Sequence, residues 1–409
     1  MHKPEIVKIH IDERCEYRIR REMPWIFAKY VDFGKSQPAA GDLVAVYGKR
    51  NQCLKLGLCD PDSPIPVRIL GDPCEFGEGY IASRLESAIM GRLTMGILSS
   101  ETNGIRLLSG ESEGLPGLVI DAYGTTWVLK VYSCCWLPYL KDVIETVSGY
   151  AERDALASIR PQRIVLRFGR DCVSRYETQG FREGSLAYGT DETPYAEFME
   201  HGARFQAQVF QGQKTGFFLD QRRNRQLIRS LSEGKKVLDI CCYSGGFSIN
   251  AAIGGASSVW SLDGDKHALE LVEKHYALNA GVPGVANSEH VFQRSNMFDW
   301  LERARTKRQK FDLIIADPPS FASSQAQIAT AEKAYMRLFS AAADLLTPRG
   351  QILCCSCSSH IGAEKFAAIV KRTLLHKTLE SVDYTGLPDD HVAHFAEAKY
   401  LKAWLVTVK

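Results

Sequence analysis

Asp317-Pro318-Pro319-Ser320-Phe321 and Cys357 are the residues of this chain best suited to chemistry. Two prolines fix an extended backbone just beyond Asp317 and remove neighbouring N–H donors, so an acid and an aromatic, Phe321, project from one short turn. Cys357 closes the apolar run 351–355. With Cys354 it forms a C-x-x-C, a spacing shared by metal and redox sites. Zinc needs two more ligands at short spacing, no second C-x-x-C exists, and His360 alone is not enough. A redox pair opens a helix, whereas this one ends a strand. The spacing therefore predicts Cys354 and Cys355 in core layers, no metal, and Cys357 at the strand end, level with Asp317, placed as a nucleophile.

A second group surrounds a glycine turn, Asp239-Ile240-Cys241-Cys242-Tyr243-Ser244-Gly245-Gly246-Phe247. The glycines let a ligand approach the backbone closely, and Asp239 either accepts from an amine or anchors the turn. The pyrophosphate fingerprint G-x-G-x-x-G is not present. The segment resembles motif I of class I methyltransferases, which bind S-adenosylmethionine. Asp263, roughly 20 residues beyond the turn, is placed to accept two ribose hydroxyls. Asp265 competes with it but reads better as a helix N-cap. Asn296 either pairs with an adenine edge, with Met297 packed on its face, or caps the following helix. Asp317–Phe321 is similar to motif IV of nucleic-acid base methyltransferases. There a cysteine has a chemical purpose: thiolate addition to carbon 6 of cytosine makes carbon 5 nucleophilic. An acid beside the ring, Asp317, can protonate or hydrogen-bond nitrogen 3.

Positioning these residues requires strands ending in register. From about residue 191 onward, apolar strand segments at 237–241, 259–262, 291–293, 313–316 and 351–355 alternate with helices at 247–253, 266–280, 298–305, 329–346 and 363–376. Strands at 378–384 and 400–408 follow, the last antiparallel. This rhythm predicts an α/β, doubly wound, mainly parallel sheet, Rossmann-like, with ligands at the carboxyl ends of its strands. Residues 1–72 read as a small β unit with strands at 6–11, 43–47, 53–58 and 67–70 and one helix at 13–21. Residues 73–190 read as an α+β domain with helices at 81–98 and 140–150 and an antiparallel sheet. The expected domains are thus 1–72, 73–190 and 191–409.

The segments Gln211–Arg222, Asp317–Phe321, Ser356-Cys357-Ser358 and Arg106–Asp121 resemble bacterial 23S ribosomal RNA 5-methylcytosine methyltransferases. That resemblance implies an N-terminal RNA-binding PUA domain, a central α+β domain and a C-terminal class I methyltransferase domain. It further implies S-adenosylmethionine as cofactor, 23S ribosomal RNA as partner and Cys357 and Asp317 as catalytic residues. Asp239, Tyr243, Gly245, Gly246, Phe247, Asp263, Asn296, Met297 and Asp317 would hold the cofactor, with Phe218 and Asp220 from a loop over 213–222. Pro318, Phe321, Arg222 and Lys214 would meet the substrate. Arg222, Arg223 and Arg225 either reach RNA phosphates or form a solvated helix start, and the basic run 303–310 divides the same way. The chain departs from the family at Met23, where histidine is common, at Asn296, where an acid is usual, and at Ser320, where lysine is frequent. Two other readings stay open: methylation of a base nitrogen such as guanine N7, without covalent catalysis, and a non-catalytic RNA-binding assembly factor.

Composition sets the outer limits. The chain has 409 residues, 45% hydrophobic and 24% charged, and 50 basic against 48 acidic side chains give a net charge of +2. These values exclude a histone-like polycation and an acidic disordered chain, so nucleic-acid contact has to come from local patches. No run approaches the ~18 apolar residues of a membrane helix, and the first residues lack the apolar core of a signal peptide. Twelve cysteines in so long a chain are too sparse for a disulfide scaffold and fit free thiols in a reducing cytoplasm. Membrane partners are not expected; a homodimer stays open.

Overall fold

The computed structural model describes residues 5–74, 76–322, 324–374 and 379–409. The expected end of the helix begun at 363 and the first residue of the strand expected from 378 lie outside them. Two compact units form. One holds the described residues through Gly202 with Ala207–Phe217 and Asp389–Phe395; the other holds those of Ala203–Gln206, Phe218–Pro388 and Ala396–Lys409.

In the first unit, strands β1 (Ile6–His10), β2 (Trp25–Ile26), β3 (Leu43–Tyr47), β4 (Cys53–Cys59) and β5 (Val67–Gly71) form a sheet in the order β1-β3-β4-β5-β2. Its apolar face buries Ile9, Ile26, Val44, Val46 and Val67. The helix expected over 13–21 starts at its Asp12 N-cap and stops at Ile19, and Glu22 turns left-handed at φ 64°. The second sheet, β6 (Gly104–Ser109), β7 (Leu118–Tyr123), β8 (Thr126–Val131), β9 (Arg163–Phe168) and β10 (Ser185–Tyr188), runs in the order β10-β9-β8-β7-β6. The expectation of an antiparallel sheet is corrected here: β8 and β9 are parallel. A parallel pair needs a long crossover, and the helix Leu140–Ser148 lies in that connection. The helix expected over 81–98 spans Tyr80–Thr94, and Gly96, at φ 69°, turns the chain out of it.

β11 (Tyr195–Glu200) belongs to the first unit, and β12 (Ala203–Gln208) begins in the second. The second unit is built on β13 (Lys236–Ile240), β14 (Ser258–Asp263), β15 (Glu289–Arg294), β16 (Phe311–Ala316), β17 (Leu346–Ser356), β18 (Leu379–Thr385) and β19 (Lys402–Val408). Their order is β15-β14-β13-β16-β17-β19-β18. All neighbours run parallel except β19, which is antiparallel to both strands beside it. Leu238, Ile240, Ile314, Ile352, Phe339 and Phe366 are buried in one core with the covering helices, as a sheet flanked by amphipathic helices requires. The helix expected over 329–346 ends at Ala343, because Leu346 opens β17. The short helix Pro283–Asn287 carries no strong sequence signal. The direction of the strand order reverses between β13 and β16, the place where ligands bind in open α/β sheets. No helix among the described residues is long and apolar enough to cross a membrane.

Candidate active site

Beyond Ile240 the chain bends sharply: Cys241 (φ 59°), Tyr243 (φ 48°) and Gly245 (φ 76°) all adopt left-handed backbone. For the two non-glycine residues this costs about 1 kcal/mol or more each, strain of the kind found at binding turns. At Gly245 a side chain is excluded on packing grounds too, since a Cβ would stand 2.9 Å from Val272 Cγ1. The helix Gly246–Ile253 then starts with no side-chain cap.

Asp239 stands beneath this turn, fully buried. Its Oδ2 accepts from Ser248 N (3.0 Å) and Ser248 Oγ (2.7 Å), while Oδ1 is buried with no hydrogen-bond partner among the protein's own groups. Burial raises its pKa to about 7, Asp317 and Asp263 add to the rise, and the Ser248 bonds oppose it. Asp263 accepts from Tyr243 N at 2.9 Å through Oδ2 and from Asp265 N at 2.9 Å through Oδ1, tying the glycine turn to the end of β14. The three strand ends thus gather three carboxylates, one with an unpartnered buried oxygen. A ligand carrying an ammonium and a sulfonium fits that field, and carboxylate lone pairs on Asp263 suit ribose hydroxyls.

Of the remaining cofactor candidates, Phe218 and Met297 touch the turn. Phe218 meets Tyr243 edge-on, ring centroids 5.2 Å apart, and Asp220 accepts from Tyr400 Oη at 2.8 Å. Met297 Sδ lies 3.4 Å from Cys241 Sγ. Phe247 is buried at the start of its helix. Asp265 caps the helix Lys266–Leu278. Asn296 caps the helix Met297–Thr306, accepting from Phe298 N at 2.9 Å, so its oxygen already has a backbone donor.

The end of β16 is held from two sides. Gln221 Nε2 donates to Asp317 Oδ2 at 2.8 Å; Gln221 Oε1 in turn accepts from Asn224 Nδ2, and Asn224 Oδ1 accepts from Thr385 Oγ1 at 2.8 Å. On the other side Ser358 Oγ donates to Ala322 O at 3.1 Å, joining the loop after Asp317 to the turn after Cys357. Tyr335 adds a second tie: it packs against Phe321 at 4.8 Å between ring centroids, and its hydroxyl meets Ser356 Oγ at 2.9 Å. Pro318 is buried and Phe321 half-buried. Cys354 and Cys355 are buried in the strand, their thiols pushed up by desolvation, whereas Cys357 is partly open to solvent. Ala316, the last residue of β16, pairs with Cys354, and Cys357 directly follows the last residue of β17, Ser356. Among the described residues no cluster of three or more His, Cys, Asp or Glu is placed to hold a metal ion.

The basic candidates separate. Arg222 and Arg225 are buried, 3% and 2% exposed, and Arg225 Nη1 donates to Phe218 O at 2.8 Å. Their reading as a solvated helix start does not survive that burial. Arg223 is exposed. Lys214 belongs to the first unit, with φ 51° and its carbonyl accepting from Lys130 Nζ at 2.6 Å. Sequence reasoning passed over Gln221, Asn224, Thr385 and Lys402. Gln221 lay inside a quoted motif, but nothing in the residue order paired it with Asp317.

A family profile described as S-adenosylmethionine-dependent methyltransferase matches residues 175–393, more than half of the chain. The chain belongs to that family. Residues 9–72 of this methyltransferase match a PUA-like domain, so the expected N-terminal module and Rossmann-like C-terminal fold are both present. A "Ribosomal RNA large subunit methyltransferase" of Deinococcus radiodurans is 37% identical over 405 residues, covering 97% of this chain and 96% of the relative. A "Ribosomal RNA large subunit methyltransferase I" of Aeromonas hydrophila is 31% identical, covering 98% and 99%. Both place the methyltransferase with the large-subunit ribosomal RNA enzymes. In fold it is similar to the methyltransferase SMU.776, whose structure was solved with SAH (TM-score 0.83, 19% identity, covering 98% of this chain and 100% of that one).

Proposed function

We propose that this methyltransferase forms 5-methylcytosine in 23S ribosomal RNA through a covalent adduct with Cys357. The substrate class rests on relatives named for large-subunit ribosomal RNA, and a cytoplasmic setting goes with it. The observation that supports the chemistry is the stitching of the two loops: Ser358 Oγ on Ala322 O joins the turn after Cys357 to the loop after Asp317, and Gln221 donates to the Asp317 carboxyl. Asp239, Asp263 and the turn Tyr243–Gly246 are the groups that would hold S-adenosylmethionine, with Phe218, Phe247 and Met297 around them. When bound, the cofactor supplies an electrophilic methyl group to carbon 5 of the base.

The chain's own residues do the rest. Cys357 Sγ, as thiolate, bonds to carbon 6 and raises electron density at carbon 5. Asp317, once it has taken up a proton from solvent, donates it or a hydrogen bond to ring nitrogen 3, stabilising the charge that the addition places there. Once carbon 5 is methylated and has lost its proton to a base, Cys357 leaves carbon 6 as thiolate and the 5,6 double bond returns. Pro318 and Phe321 form the wall of the base pocket in this reading. A paired target cytosine has to leave its stack, at a cost of a few kcal/mol.

Purified protein incubated with labelled S-adenosylmethionine and unmodified large-subunit RNA, then digested to nucleosides, tests the reading. Label in 5-methylcytidine that vanishes in Cys357→Ala is the expected result. Label in 7-methylguanosine, indifferent to the substitution, overturns it.

A further inference from the structure

Lys402 is a buried cation beside the turn after Cys357 that the mechanism leaves unused. It lies on β19 opposite Ser356 of β17 and is 2% exposed. Its Nζ donates to Ser358 O at 2.5 Å and to Tyr400 O at 2.6 Å. Among the described residues no carboxylate pairs with it. Lysine is almost never buried without a counter-charge, and an ammonium has three donors, so two carbonyls leave one donor over. One of those carbonyls belongs to the residue directly after Cys357.

A thiolate at Cys357 acts on Tyr335, Cys355 and Lys402. Tyr335 and Cys355 are buried with their pKa values pushed up, so both are neutral at pH 7. Asp317 acts on the same two groups, and its negative charge opposes a thiolate in that neighbourhood. His360, three residues on, is exposed. Of Tyr335, Cys355 and Lys402, Lys402 is the cation. Burial lowers it to about 8, with Cys357 working in the opposite direction, which leaves the ammonium dominant at pH 7.

We propose that Lys402 is the counter-ion of Cys357, a positioning residue whose buried ammonium holds the nucleophile as thiolate against the neighbouring carboxylate of Asp317. The Cys357 Sγ–H proton passes to solvent, Lys402 keeps its own protons, and no bond to Lys402 forms or breaks. This rests on the reading of Cys357 as the nucleophile, yet it is measurable without RNA or methyl transfer.

The test is the rate at which iodoacetamide alkylates Cys357 in the full chain between pH 5.5 and 9.5, quantified by mass spectrometry on the peptide bearing that residue. In the unaltered protein the half-maximal rate is expected below the ordinary thiol value of about 8.5. Lys402→Met is expected to shift that midpoint up by about one pH unit or more, close to a tenfold slower alkylation at pH 7, and Lys402→Arg to keep it low. A Lys402→Met profile that superimposes on the wild-type one overturns the proposal. If Lys402→Met does not fold, the wild-type profile decides: a midpoint at or above about 8.5 overturns the proposal by itself. Methylation that persists in Cys357→Ala, together with a profile that shifts in Lys402→Met, refutes the nucleophile and leaves the ion pair standing, so the two failures are told apart.

Discussion

Asp239 shows how a single residue couples cofactor binding to pH. Its carboxyl is raised from 3.8 to about 7 chiefly by burial. A folded-state value above the unfolded one means that the protonated form favours folding: that contribution is complete below about pH 4 and is lost as pH rises through 7. A cationic ligand prefers the ionised form. S-adenosylmethionine affinity measured by calorimetry from pH 5.5 to 8 is therefore expected to weaken below pH 7, by up to about tenfold per unit, and to become nearly flat in Asp239→Asn. At this scale the sequence was legible where backbone chemistry and side-chain chemistry coincide, as in the glycine turn and in the two prolines after Asp317. Lys402 and Gln221 were not legible, because each acquires its partner through strand order and loop packing far away in the chain. Arg222 and Arg225 read as polar surface for the same reason: which face of a helix is covered depends on what the fold lays over it.

Elements set how tightly the site is held. The turn from Cys241 to Gly245 concentrates left-handed backbone in five residues, and its third such position leaves no room for a Cβ. Gly245→Ala is expected to cost about 1–2 kcal/mol from the backbone alone, more with Val272 displaced, and to weaken cofactor binding with it. Thermal denaturation with and without S-adenosylmethionine reads both effects; an unchanged melting temperature and an unchanged affinity would refute the packing argument. Element type and order were readable from periodicity, from β13 through β17 and their helices. Ends were less so: Leu346 continues an apolar helical pattern yet begins a strand, and the parallel pairing of β8 with β9 depends on a crossover whose direction no local pattern encodes.

For the whole molecule, the net charge of +2 makes RNA binding a matter of local groups. Of the three arginines at the start of the helix Arg222–Leu231, Arg223 alone is exposed. If it meets a phosphate, Arg223→Ala lowers the slope of log affinity against log salt by about 1 for large-subunit RNA and leaves cofactor affinity intact. Filter binding between 50 and 200 mM salt, as ordinarily spaced titrations, checks this. An unchanged slope assigns Arg223 to solvent. The strand order β15-β14-β13-β16-β17-β19-β18 brings the glycine turn, Asp317 and Cys357 to one end of one sheet. That convergence was the part of the architecture most open to sequence reading, since each residue directly follows an apolar strand segment.

The covalent role of Cys357 is tested most directly by trapping. In RNA containing 5-fluorocytidine the fluorine on carbon 5 cannot leave as the proton does, so the sulfur bound to carbon 6 cannot be eliminated. With S-adenosylmethionine present, the wild-type protein should run with the RNA on a denaturing gel, and mass spectrometry should find the nucleotide on Cys357. Cys357→Ala should give no such species. Wild-type protein that methylates ordinary RNA yet never forms the adduct would contradict the cysteine mechanism outright.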